Sequence, residues 1–181
     1  YYPKHRLSEE KVIEVLGELQ SQTERISCFA DTMKNINRLD EIIISRAYVS
    51  QADLLAKTEA ILTVLAQKYA KQFEVHSELK EQQLNLDISI FLEVLENLID
   101  NAMRFSVQCV RVEFRYSQSL LNVCVHDDGK GFQPDELSKA VKPYYHGESV
   151  GTEHYGMGLY ICKMLCEKHG GFLRVYNSPG G

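Results

Sequence analysis

Residues Glu93 to Ser106 read EVLENLIDNAMRFS. With Phe91 just before them, Leu95, Leu98, Ala102 and Phe105 recur at helical spacing and predict one apolar stripe facing a core. A second set shares the other face: Glu93, Asn97, Asn101 and Arg104 stand three or four positions apart, so a carboxylate, two amides and a guanidinium line up. Asparagine is a mediocre helix former, because its amide competes for backbone hydrogen bonds. Two asparagines one turn apart therefore point to a task other than making helix.

Upstream, Ser8 is a candidate N-cap with Glu9 and Glu10 in the first turn, where they complement the helix dipole. From there Val12, Leu16, Leu19, Thr23, Ile26, Ala30 and Met33 follow in alternating steps of four and three, an unbroken heptad seam. Leaving such a seam in water costs roughly 1.5 to 3 kcal/mol per large side chain, so a helical hairpin or dimer is expected. The pattern loosens over Asn35 to Asp40, and the β-branched run Ile42 to Val49 predicts a first strand, with a domain boundary between 1–40 and 41–181. Ser50 caps a second predicted helix with Leu54, Thr58, Ile61, Leu62, Leu65 and Tyr69 on its apolar face, and residues 72–77 alternate as a strand. Asp87 caps the helix quoted above.

Downstream, Val110, Val112 and Phe114 alternate with charged residues, a Ser117-Gln118-Ser119 turn follows, and Leu121, Val123 and Val125 alternate again, which predicts a β-hairpin. Residues 133–155 have little periodicity and read as a mobile loop. Gly156 to His169 returns to helical spacing, Gly170-Gly171 supplies a stop, and Phe172 to Tyr176 reads as a final strand. This order predicts an α/β sandwich, a mixed sheet with helices on one face, preceded by a long heptad-patterned helix.

The composition, 44% hydrophobic and 25% charged, is that of a folded globular protein. A net charge of −5 argues against a general nucleic-acid binder, and no run of about 18 apolar residues predicts a membrane span. The five cysteines include no C-x-x-C pair and read as reduced thiols of a cytosolic domain. Cys162 and Cys166, one turn apart, are a candidate metal pair, but no His or Cys motif completes the site. The start at Tyr1, without a methionine or signal peptide, suggests a piece of something longer.

Two further segments carry chemistry. In Asp127-Asp128-Gly129-Lys130-Gly131 a carboxylate at a strand end is followed by glycines that let backbone approach a planar ligand. In Gly156-Met157-Gly158-Leu159 glycines open a helix, whose free N–H groups suit an anion. Each is weak alone. Their order and spacing after Asn97-Leu98-x-x-Asn101-Ala102, followed by ICKMLCEKHGG, resembles the catalytic ATP-binding domain of sensor histidine kinases, in the GHKL ATPase superfamily with its Bergerat fold. The resemblance covers about residues 42–181, and Lys142-Pro143-Tyr144-Tyr145 resembles the aromatic box of the lid in these kinases. The heptad helix is similar to the second helix of their dimerisation and phosphotransfer hairpin.

That resemblance implies ATP and Mg²⁺ as cofactors. Asn101 would ligate Mg²⁺ through its amide oxygen, Asn97 would lie near the phosphates or the metal shell, and Arg104 would contact phosphate. Asp127 would accept a hydrogen bond from the adenine amino group, with Gly129 and Gly131 shaping the pocket. Phe105 and Tyr145 would border the nucleotide, and Gly156, Gly158 and Leu159 would close the lid and present backbone donors.

The implied partners are the chain's own dimerisation helix, a second protomer and the receiver domain of a response regulator, with no nucleic acid and no membrane contact by these residues. The implied setting is a cytoplasmic domain of a membrane-anchored parent. Departures from the pattern are Phe105 in place of tyrosine, Tyr160 in place of a third glycine, and no histidine followed by an H-box pattern among His5, His76, His126, His146, His154 and His169. A further strand is expected beyond Gly181. Two rivals stand beside this reading: a GHKL ATPase or serine kinase, with Glu93 or Glu96 as general base, and a nucleotide-free pseudokinase scaffold.

Overall fold

The structure is a computed structural model that describes residues 8–81, 83–143, 145 and 156–178. Helix α1 spans Glu9–Glu41, begins where Ser8 Oγ accepts the Lys11 N–H at 3.3 Å, and runs straight through the stretch where the heptad pattern loosens. The expected strand at Ile42 to Val49 is shorter than its β-branched run: strand β1 is Ala47–Ser50, and residues 42–46 form a connector. Helix α2, Gln51–Tyr69, is capped as expected, Ser50 Oγ accepting the Asp53 N–H at 3.1 Å. Strand β2 is Gln72–Ser77 and strand β3 is Gln83–Leu86. No alternation long enough to read announces β3, which pairs antiparallel with β1 from Ala47 opposite Leu86 to Ser50 opposite Gln83.

Helix α3 is Ile88–Phe105, and strands β4, Cys109–Ser117, and β5, Leu120–Asp127, form the expected hairpin. Gln118 and Ser119 both take positive φ, the two-residue turn whose twist matches the strands it joins. β4 pairs parallel with β2 and antiparallel with β5, giving a mixed three-stranded sheet in the order β2-β4-β5. Helix α4, Pro134–Leu137, opens the stretch read as a loop, where Pro134 and the reciprocal bonds of Gln133 and Glu136 start a turn. Helix α5 is Gly158–Lys168. Residues 172–178 carry no strand assignment, so the expected strand at Phe172 to Tyr176 is not formed despite its alternating pattern.

The core lies between the helices and one face of the sheet. Val110, Val112 and Phe114 of β4 are fully buried against Leu95, Ile99 and Met103 of α3 and Leu54 and Leu62 of α2. Each such side chain removed from water contributes about 1.5 to 3 kcal/mol. The other sheet face is charged and exposed, with Arg111 to Glu74 at 2.9 Å and Arg115 to Glu78 at 3.0 Å. This is the α/β sandwich with helices on one face that the sequence predicts. Asp100 locks α2 to α3 by accepting from Lys68 Nζ and Tyr69 Oη, both at 2.9 Å. Burial pushes its carboxyl up, but Lys68 and Tyr69 together outweigh that and hold it below the usual range.

Among the described residues the apolar seam of α1 is left open: Val12, Leu16, Leu19 and Ile26 are exposed. Near its C-terminal end Leu39 is buried, and Arg38 forms an ion pair with Glu93 of α3. No helix among the described residues is long and apolar enough to cross a membrane.

Candidate functional site

The start of α3 is built firmly. Asp87 Oδ1 accepts from Ser89 and Ile90 N–H at 3.1 and 3.2 Å, Oδ2 accepts from the Ser45 N–H at 2.8 Å, and the Asp87 N–H donates to His169 Nε2 at 2.9 Å. Burial disfavours the Asp87 carboxylate, but these backbone donors pull its pKa below the usual range. Because His169 Nε2 accepts a hydrogen bond, the imidazole is neutral there; burial and then Arg46 push its pKa down. The cap thus fixes the register of the polar face one to four turns further along.

On that face Asn97 Nδ2 donates to the Glu93 carbonyl at 2.8 Å, and its amide oxygen looks across to the first residue of α5, 3.8 Å from where a Cβ on Gly158 would stand. Asn101 Oδ1 accepts from Arg104 Nη2 at 3.0 Å. The Arg104 guanidinium lies 5.1 Å over the Phe105 ring, and its Nε is buried without a hydrogen-bond partner among the described residues. A buried guanidinium N–H without a partner among the described residues suits an acceptor brought by a ligand. Glu93, by contrast, is engaged by Arg38.

The two aspartates of the glycine-rich motif divide the work. Asp127, exposed at the end of β5, accepts the Gly129 N–H at 2.9 Å. Asp128, also exposed, turns to the backbone of the α3–β4 connection: Oδ1 accepts from Val107 and Gln108 N–H at 2.7 and 3.0 Å, and Oδ2 from Gln108 and Cys109 at 3.0 and 3.2 Å. Burial works against its charge, but the Gln108, Cys109 and Val107 donors pull the carboxyl below its usual range. This clamp ties the α3–β4 connection to the motif, and Gly129 then sits so close to the Phe105 carbonyl that a Cβ there would lie 2.4 Å away. Only glycine fits that approach.

A cleft of about 170 Å³ opens between α3, β5 and residues 173–178. It brings together Asn101, Asp127, Gly129, Gly131 and Leu159, from three separated parts of the chain. Asn97, Arg104, Phe105, Tyr145, Gly156 and Gly158 do not line it. Asn97 and Gly158 face each other beside it, while Gly156, at φ +63°, packs its backbone on that of Tyr145, where a Cβ would meet the carbonyl at 1.9 Å. Partial burial and then Glu136 push the Tyr145 phenol up. Tyr144, His146 and His154 lie outside the described residues.

The cysteine pair belongs to no metal-binding cluster among the described residues. Cys162 is buried with its Sγ 3.7 Å from the Val94 carbonyl, burial drives both thiols up, and no cluster of His, Cys, Asp or Glu among the described residues could hold a metal.

Residues 86–181 match the family described as histidine kinase-, DNA gyrase B- and HSP90-like ATPase, which is more than half of the chain. The chain belongs to this family. The chain is 27% identical over 175 residues to the sensor protein SrrB of Staphylococcus aureus, covering 87% of this chain and 30% of that protein. The chain thus spans under a third of the length of that curated relative. Full-length ShkA, solved in complex with AMPPNP, superposes with a TM-score of 0.68 at 20% identity, covering 91% of this chain and 35% of that one. The Acinetobacter baumannii histidine kinase AdeS superposes at 0.61 and 16% identity, covering 92% and 77%. At these identities both report the fold alone. The GHKL match confirms the family resemblance carried by the three motifs; Asp128 lies within one of them but has no role assigned by it, and Asn177 lies outside all three.

Proposed function

We propose that this GHKL domain binds ATP with Mg²⁺ as the catalytic domain of a sensor histidine kinase, residues 41–181, and that residues 1–40 are the second helix of its dimerisation hairpin. The observation that carries the reading is the convergence of Asn101, Asp127, Gly129, Gly131 and Leu159 on one cleft. The chain's polar groups suit a nucleotide at both ends. Asp127 would accept from an adenine amino group and oppose a guanine carbonyl, which sets the base preference.

At the other end, the orphaned Arg104 Nε is a donor for a phosphate oxygen, and the Asn101 amide oxygen is a hard ligand for a cation that keeps several waters. Bound Mg²⁺ would neutralise charge on the phosphates. Asn97 would stand beside the phosphates, Phe105 and Tyr145 would border the nucleotide, and Gly156, Gly158 and Leu159 would belong to its lid. Rate would come from holding the γ-phosphate in position.

In this reading the acceptor histidine belongs to a helix outside these residues, the partners are a second protomer and a response-regulator receiver domain, and the parent is anchored in a membrane with this domain in the cytoplasm. The 181 residues alone would bind nucleotide without labelling themselves. Transfer is favoured over hydrolysis because Asn97 is an amide that cannot take a proton at neutral pH, and Glu93 is held by Arg38.

Calorimetry with ATP, GTP and Mg²⁺ tests the proposal. Magnesium-dependent binding with preference for ATP is expected. No binding at millimolar ATP would sink it in favour of a nucleotide-free scaffold, and steady phosphate release lost in Glu96→Ala would point to an ATPase.

A further inference from the structure

The wall of the cleft opposite α3 is formed by residues 173–178, a segment with a strand's alternation but no strand pairing. Among the described residues, the Asn177 side chain attaches it to the glycine-rich loop. Asn177 Oδ1 accepts the Phe132 N–H at 2.9 Å, and Asn177 Nδ2 donates to the Phe132 carbonyl at 2.7 Å. A primary amide carries the same donor and acceptor as a peptide group. Asn177 therefore takes the place beside Phe132 that a neighbouring strand would occupy.

The adjacent Gly131 has φ +68°, and a Cβ on it would lie 2.8 Å from Asn177 Oδ1. The amide thus packs directly on a left-handed turn that has no room for a side chain. Gly131, Phe132 and Asn177 all line the cleft together with Asp127.

We infer that Asn177 is a positioning residue for the base-facing wall of the nucleotide site, holding the loop from Asp127 to Phe132 in the form that presents Asp127 to a purine. This rests on the ATP-binding reading. Asn177 acts through Phe132 and Gly131, and the phosphate end of the site, Asn101 and Arg104 on α3, is built without it. Loss of the amide should therefore damage recognition of the base and spare recognition of the phosphates.

The test compares the 181-residue chain with Asn177→Ala and Asn177→Asp, each titrated with ATP and with inorganic tripolyphosphate in the presence of Mg²⁺. Asn177→Ala is expected to weaken ATP by roughly tenfold, as two modest hydrogen bonds would, and to leave tripolyphosphate within about twofold. Asn177→Asp keeps an acceptor for the Phe132 N–H but sets a carboxylate against the Phe132 carbonyl, so ATP should weaken at least as much. Amide exchange should quicken at Phe132 in Asn177→Ala while α3 stays protected.

Unchanged ATP affinity, equal loss of both ligands, unchanged exchange at Phe132, or global unfolding of Asn177→Ala would each overturn the inference, the last by making the amide a fold determinant. A parent chain that binds neither ligand would instead remove the ATP-binding reading itself.

Discussion

Helices α1 and α3 both carry an uninterrupted apolar stripe, and the chain treats them in opposite ways. In α3 the apolar side is filled, though not by the whole stripe read from the sequence: Leu95, Ile99, Ala102 and Met103 are buried, whereas Leu98 lines the cleft beside Asn101 and Phe105 is 42% exposed. In α1 it is left open, with Leu16 59% and Ile26 69% exposed, and only Leu39 buried among its large apolar side chains with described burial. Periodicity reports that a helix face wants a partner and is silent on which chain supplies it. Stability of α3 is therefore a property of this domain, whereas stability of α1 depends on what meets its seam.

The strongest way to break that contrast is to strike the same chemistry in both helices. Ile99→Ala should cost about 2 to 5 kcal/mol of unfolding free energy in urea melts, and Leu16→Ala under about 0.5 kcal/mol in the monomer. Equal losses would show that α1 is packed in solution. The caps provide a second comparison. Asp87→Ala orphans the N–H groups of Ser45, Ser89 and Ile90 and should cost about 1 to 3 kcal/mol, against a few tenths for Ser8→Ala, whose single bond is exposed.

The polar face of α3 has its own expected signature: Asn101→Ala should lower magnesium-dependent ATP affinity at least about tenfold with the melting midpoint unmoved. Retained affinity would remove Asn101 from the metal's ligands. The seam of α1 should respond in assembly instead of folding. Leu19→Asp should weaken self-association in sedimentation by about tenfold or more, since a buried leucine is worth about 1.5 to 3 kcal/mol.

The smallest effect is a pH dependence at the start of α3. The His169 pKa is lowered in the folded state, so the neutral ring contributes stability that is complete above its ordinary value of about 6.5 and fades as pH falls through the lowered one. The ring is partly exposed and screened, so the loss should stay under about 1 kcal/mol, and it should vanish in His169→Gln. An NMR titration placing His169 at or above 6.5 would contradict the neutral acceptor.

The sequence was legible where one element carries its own signal. Ser50 and Asp87 announce their helices because a short acceptor followed by helical periodicity has few other uses, and the hairpin is written in strict alternation. It was illegible where partners decide. β3 is four residues long, too short for an alternation to stand out, and exists because β1 lies beside it. Phe172 to Tyr176 has the alternation but takes its place through Asn177. Asp127 and Asp128 are identical letters, and only the fold separates the one that faces the cleft from the one that gathers three backbone N–H groups.

The junction of α1 with the rest of the molecule has a mechanical meaning. A helix of 33 residues is about 50 Å long, and among the described residues its grip near the site includes a buried leucine and an ion pair at the far end of that length. It is a lever with its fulcrum beside Glu93, so a tilt of about 5° there sweeps the Ser8 end through about 4 Å. Read in the other direction, a displacement of several ångströms at the Ser8 end reaches α3 reduced to a small rotation, delivered one turn before the first asparagine of the site.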